Sequence, residues 1–164
     1  MKTHLEGRAF VFGNNIDTDQ IYPGRFVEYT NVDDVAKYAM YGVDPTFVQN
    51  VKQDDIIIAG KNFGCGSSRE HAAITLKAVG IGAIIAESYA RIFYRNAINI
   101  GLAILECDEA ARDIKTGDEI KVDFDTGLIE NLTTGKTYQA EPFPPFIQNI
   151  IEKGGLLNSI KDKL

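Results

Sequence analysis

The residues best suited to chemistry lie in one run, Gly64-Cys65-Gly66-Ser67-Ser68-Arg69-Glu70-His71, led in by Gly60-Lys61-Asn62-Phe63. Gly64 and Gly66 permit positive φ and let the backbone come close to a ligand. Ser67 and Ser68 offer hydroxyls, and the planar guanidinium of Arg69 suits a carboxylate or phosphate held through two hydrogen bonds. An apolar stretch precedes the run and a helical pattern follows it. Free amides and the dipole at such a helix start favour an anion. Common loop motifs do not fit: the P-loop spacing is absent, Arg69 stands where a dinucleotide fingerprint needs its third glycine, and no GxSxG elbow is present. A purely structural reading makes Ser67 an N-cap, Glu70 its capping-box partner and Arg69 a surface residue. The combination of hydroxyls and guanidinium after Gly-x-Gly favours the anion site. His71 falls in the first helical turns, where packing or a hydrogen bond suits it better than metal ligation.

A second polar cluster is Asn14-Asn15-Ile16-Asp17-Thr18-Asp19-Gln20-Ile21. Asp17-x-Asp19 opens like a calcium loop but lacks the rest of that pattern. An Asx-turn connector and a loop beside the same pocket both fit. Metal chemistry is poorly provided for: Cys65, Cys107, His4 and His71 are the only cysteines and histidines, and structural zinc or iron–sulfur sites usually take three or four placed ligands. The expectation is that this chain holds no metal or cofactor itself. Seventeen Lys and Arg stand against 23 Asp and Glu, a net charge of −6, which argues against a nucleic-acid binder. The two cysteines do not form a disulfide framework. No apolar run is long enough for a bilayer, and the first residues have no signal-peptide core. A cytoplasmic protein without membrane association is expected.

The length of 164 residues predicts one domain spanning 1–164, at about 150 residues per domain. Short apolar runs at Arg8–Phe12, Asp55–Ala59, Gly82–Ala86 and Gly101–Leu105 read as strands. Between them, helices are predicted from Asn31 or Asp33 to about Tyr41, after Asp44-Pro45, from Ser67, and from Ser88 to about Ile98. The alternation predicts an α/β fold, a central parallel sheet flanked by helices. Glu119–Phe124, Leu128–Leu132 and Thr137–Ala140 read as a smaller β-rich appendage, followed by a helix over Phe146–Lys153 stopped by Gly154-Gly155. Cys107 reads as a small apolar residue near a strand end.

Three stretches taken together resemble the swivelling domain of the aconitase superfamily. They are Gly13–Pro23, Gly60–Ala73 and Ala86–Asn96. The resemblance is nearest to the free-standing form of that domain, the small subunit of isopropylmalate dehydratases, and covers essentially the whole chain. It implies a hydro-lyase that interconverts 2-isopropylmalate and 3-isopropylmalate by dehydration and rehydration, in leucine biosynthesis. A large subunit would complete the site in a heterodimer or heterotetramer and carry a [4Fe–4S] cluster. Ser67 matches the family's general base and Arg69 its substrate-carboxylate clamp. Ser68 would add a hydrogen bond, Gly64 and Gly66 shape the binding loop, and Asp19 matches an aspartate lining the site.

The resemblance also implies that the loop after Pro23 faces the substrate's variable group. Relatives that take a third carboxylate tend to carry arginine near the position of Glu28. Glu28 would repel such a group, while Phe26, Val27 and Tyr29 would surround an apolar branch, which favours isopropylmalate over homocitrate or citrate. The orientations of Arg25 and Glu28 stay open, as do citramalate and dimethylmalate. Two further readings stand beside it: a non-catalytic carboxylate-binding module, and a serine hydrolase using His4 or His71 as base.

Overall fold

Three successive isoleucines, Ile56–Ile58, are fully buried, and they set the plan of the molecule. A strand buried on both faces belongs inside a parallel sheet covered by helices. Burying each such side chain is worth about 1.5–3 kcal/mol. The computed structural model describes residues 4–142 and 145–153. In it, β2 (Ile56–Ala59) lies between β1 (His4–Val11) and β3 (Ala83–Ala86), with β4 (Ala103–Glu106) beyond. All these pairings are parallel, in the register Phe10↔Ile57↔Ile84↔Ile104. The crossover from β2 to β3 carries α4 (His71–Val79), and that from β3 to β4 carries α5 (Arg91–Asn99). Gly80, at φ 104°, ends α4 in the left-handed cap that glycine favours.

The β-rich section extends this same sheet. β5 (Glu119–Asp123) pairs antiparallel with β1, with Leu5 opposite Val122, and β6 (Leu128–Asn131) and β7 (Thr137–Gln139) follow. The result is a seven-stranded mixed sheet in the order β4-β3-β2-β1-β5-β6-β7. β5 alternates buried and partly exposed residues, as an antiparallel strand with one solvated face does. One continuous cluster of buried side chains runs from Leu5 through both halves to Ile150.

Several elements depart from the sequence expectation. β1 starts at His4 because its first residues pair with β5, a partner too distant in sequence for local pattern to reveal. α2 spans only Val32–Ala36, capped by Asn31, whose side chain accepts from the Asp33 amide. It stops well before Tyr41. Met40 takes φ 57° and its amide bonds the Ile21 carbonyl at 2.7 Å, so a tertiary bond replaces the helical one. Asp44 accepts from the Thr46 amide and hydroxyl, but the cap of α3 (Phe47–Asn50) is Thr46. Ser88 caps nothing: its hydroxyl accepts from the Asn62 amide at 2.8 Å, and α5 begins after Ala90. α6 (Asp108–Asp113) was not expected, and Cys107 is buried immediately before it. α7 covers Pro145–Glu152, while its expected stop at Gly154-Gly155 lies outside the described residues. Among the described residues no helix is long and apolar enough to cross a membrane.

Candidate active site

The two polar clusters lie side by side, past the ends of the adjacent strands β1 and β2. They are joined like short parallel strands: Asn15 N–H donates to the Lys61 carbonyl (2.8 Å), Gly64 N–H to Ile16 (2.7 Å) and Thr18 N–H to Cys65 (2.8 Å). Asn14 Oδ1 accepts from the Lys61 amide at 2.8 Å, and a Cβ at Gly60 would sit 1.9 Å from that oxygen. Gly64 has φ 84°, and a Cβ there would meet Phe93 Cγ at 2.3 Å, so this glycine is required by both conformation and space. The crevice beyond the carboxyl ends of strands is where open α/β sheets usually bind ligands.

Asp17 and Gln20 form the capping box the sequence suggested for Ser67 and Glu70. Asp17 Oδ1 accepts from the Gln20 amide (2.7 Å), and Gln20 Oε1 accepts from the Asp17 amide (2.9 Å), at the start of α1 (Thr18–Ile21). Asp17 is therefore a cap, neither calcium ligand nor simple connector. Ser67 is not an N-cap: α4 begins only at His71, and the residue before it, Glu70, makes no side-chain cap. The Ser67 hydroxyl instead lies 2.9 Å from Thr18 Oγ1. Thr18 is buried at 4% exposure, whereas Ser67 and Ser68 are exposed, so an inner hydroxyl supports an outer one.

Arg69 is held in place from the other loop. Its Nη1 donates to the Tyr22 carbonyl at 2.8 Å and lies 3.4 Å from Asp19 Oδ1. The same Asp19 oxygen accepts from the Gly24 amide at 2.8 Å. The arginine side chain is 22% exposed and that of Asp19 71%, so the pair opens toward solvent. Arg69 Nη2 would lie 3.2 Å from a Cβ at Gly24, which puts the guanidinium against the start of the loop that follows Pro23. Ser67 and Arg69 are thus both anchored on the segment 18–22, through Thr18 and through Asp19 and Tyr22, with Gly64, Gly66 and Ser68 in the same loop as the serine.

That next loop contains a 3-10 turn, Gly24–Phe26, and an aromatic cluster. Phe26 stacks on Tyr38 with ring centroids 3.8 Å apart, and Tyr29 stacks on Tyr38 at 5.7 Å. The Arg25 guanidinium lies over Phe26 (4.8 Å) and Tyr41 (5.4 Å), engaged by their faces. Val27 and Glu28 are exposed at the tip.

Neither histidine sits at Ser67. His71 Nε2 is 3.1 Å from the Tyr29 carbonyl oxygen, and His4 on β1 pairs with Asp123 at 3.3 Å. The Ser–His pair of a hydrolase is therefore not formed. Among the described residues no three His, Cys, Asp or Glu side chains are placed to hold a metal ion. Cys65 in the loop and Cys107 beyond β4 lie on separate elements, so the donors present do not fit an iron–sulfur cluster.

Residues 8–110 match the model of the aconitase C-terminal domain. The chain belongs to the aconitase family. Within it, the chain is 55% identical over 161 residues to the 3-isopropylmalate dehydratase small subunit of Ruminiclostridium cellulolyticum, covering 98% of this chain and 99% of that one. It is 50% identical to the isopropylmalate/citramalate isomerase small subunit of Methanocaldococcus jannaschii, covering 100% of this chain and 98% of that one. The crystal structure of a 3-isopropylmalate dehydratase from the same archaeon superposes with a TM-score of 0.93 at 43% identity, covering 98% and 95% of the respective chains. The mixed sheet described above is the aconitase-family fold seen in that structure. Thr18, whose hydroxyl lies against that of Ser67, is the residue of this cluster that the sequence alone did not single out. Its only signal was a hydroxyl between two aspartates.

Proposed function

We propose that this chain is the small subunit of a hydro-lyase that moves a hydroxyl between adjacent carbons of a branched 2-hydroxy dicarboxylate, with isopropylmalate as substrate. The observation that carries the proposal is that one short segment, 18–22, anchors both an exposed serine hydroxyl, through Thr18, and a guanidinium, through Tyr22 and Asp19.

Arg69 receives a substrate carboxylate in its planar fork. Asp19 is its positioning partner, and Ser68 and the uncapped start of α4 supply further donors. Ser67, as alkoxide, removes the proton from the carbon beside that carboxylate. The C–H electron pair forms the double bond while the hydroxyl leaves the neighbouring carbon. Re-addition in the opposite sense places the hydroxyl on the carbon that lost the proton. A serine is a weak base until its anion is stabilised. The Thr18 hydroxyl is placed to donate to it.

A [4Fe–4S] cluster held by a large subunit would supply Lewis acidity for the leaving hydroxyl; the two cysteines of this chain, on separate elements, would not hold one. The small-subunit names of the relatives support a large-subunit partner. For the substituent, the exposed Glu28 disfavours a third carboxylate, and Arg25 is occupied by aromatic faces. Val27, Phe26 and Tyr29 supply apolar surface. The test is a hydration assay on unsaturated dicarboxylates with this chain alone, with the cluster-loaded large subunit, and with the large subunit alone. Turnover only in the mixture is expected. No turnover by a physically associated, cluster-loaded pair would leave the carboxylate-binding module as the better account.

A further inference from the structure

The loop between Pro23 and Thr30 is tied to the catalytic side of the molecule at two backbone carbonyls. Tyr22, 0% exposed, donates its hydroxyl to the Phe26 carbonyl at 2.6 Å. His71 lies with its ring stacked on Tyr22, centroids 5.2 Å apart and planes 17° from parallel, and its Nε2 meets the Tyr29 carbonyl at 3.1 Å. A carbonyl oxygen only accepts, so Nε2 carries the proton in this contact. Tyr29 N–H in turn donates to Phe26 O at 3.2 Å. Both tethered carbonyls therefore belong to one turn, and Val27 and Glu28 project from it.

His71 is the first residue of α4 and stands two positions after Arg69. One short segment thus carries both the carboxylate clamp and the tether of the turn beside it. We propose that His71 is a positioning residue for substrate selection: it fixes the height of the Phe26–Tyr29 turn relative to Arg69, so the turn discriminates among substituents without touching the proton-transfer step. This rests on the hydro-lyase reading above. Tyr22 supplies the platform that orients the imidazole, and its phenol pKa is raised, chiefly by burial, so it stays a donor to Phe26.

The test uses the full chain with its large subunit and compares isopropyl-substituted with methyl-substituted malate. His71→Phe keeps a ring for Tyr22 to stack on and removes the donor. It is expected to lower the ratio of the two kcat/KM values about 3- to 10-fold, the worth of one hydrogen bond, through a raised KM for the isopropyl substrate with kcat on the methyl substrate retained. His71→Gln, which restores an N–H donor, is expected to recover part of the ratio. Amide hydrogen exchange is expected to quicken in residues 27–30 of His71→Phe while the amides of β2 keep wild-type protection. An unchanged ratio in His71→Phe, or equal losses of kcat on both substrates, would overturn this role and leave the hydro-lyase reading intact. Turnover of neither substrate by the wild-type pair would remove the hydro-lyase reading and this inference with it.

Discussion

Replacing Thr18 by valine tests the core of the proposed mechanism. Valine keeps the branched shape of the side chain and the Thr18 amide bond to Cys65, and removes one hydroxyl 2.9 Å from Ser67 Oγ. In the resting subunit the loss is small, because Ser67 is exposed and water replaces the partner. Against an alkoxide the bond is charge-assisted, worth about 1.5–3 kcal/mol. At about 1.4 kcal/mol per decade, kcat is expected to fall about 10- to 150-fold. KM is expected to hold, since the contacts fixing Arg69 come from Tyr22 and Asp19. Steady-state hydration kinetics with the cluster-loaded partner separate the two parameters, and thermal unfolding checks the fold. Thr18→Ser is expected to restore most of the rate. A Thr18→Val enzyme with wild-type kcat would refute the support of Ser67 by Thr18. A large rise in KM alone would show that Thr18 serves substrate binding instead.

Arg69→Ala is expected to raise KM and weaken substrate affinity, whereas Ser67→Ala is expected to abolish turnover while retaining affinity, measured by titration calorimetry on the assembled complex. Glu28→Arg is expected to improve kcat/KM for a substrate with a third carboxylate about fivefold, from roughly 1 kcal/mol for a solvent-screened pair; competition between homoaconitate and isopropylmalate reads this directly. Gly64→Ala combines a left-handed φ, costing about 1–2 kcal/mol, with a clash against Phe93 of about 1–3 kcal/mol, and chemical denaturation is expected to show the sum as lost stability. Burial, with the Asp113 hydrogen bond second, raises the Tyr138 phenol from 10.0 to about 12. Folding therefore favours the protonated phenol, and this stabilisation is complete below pH 10 and lost as pH climbs through about 12. Tyr138→Phe is expected to remove that alkaline step from the stability profile.

The parallel strands were legible because continuous apolar runs such as Ile56–Ile58 have few other places to go. The glycine, serine and arginine loop was legible because those residue types serve little else in that combination. Capping was misread where a serine had a tertiary alternative: Ser67 turns to Thr18 and Ser88 to the Asn62 amide. The true capping box, Asp17 with Gln20, opens a four-residue helix too short to show periodicity. α6 went unseen because it is brief and Cys107 lacks a strong capping side chain. The continuity of the β-rich section with the main sheet rests on pairs such as Leu5 with Val122, which no local pattern encodes. The tether of Tyr29 by His71 spans 42 residues and is hidden for the same reason.

The position of β1 bears on how the chain is made. β1 leaves the ribosome before the other six strands, yet it is the central one, and its second neighbour, β5, ends at Asp123. Until that residue emerges, one side of β1 offers unpaired amides and carbonyls, a template for pairing with other chains. The pairing that closes it spans more than a hundred residues, the kind of long-range contact that slows folding. Biosynthesis therefore exposes the middle of the finished sheet as a temporary edge, and the yield of folded subunit depends on how quickly the last hairpins arrive to cover it.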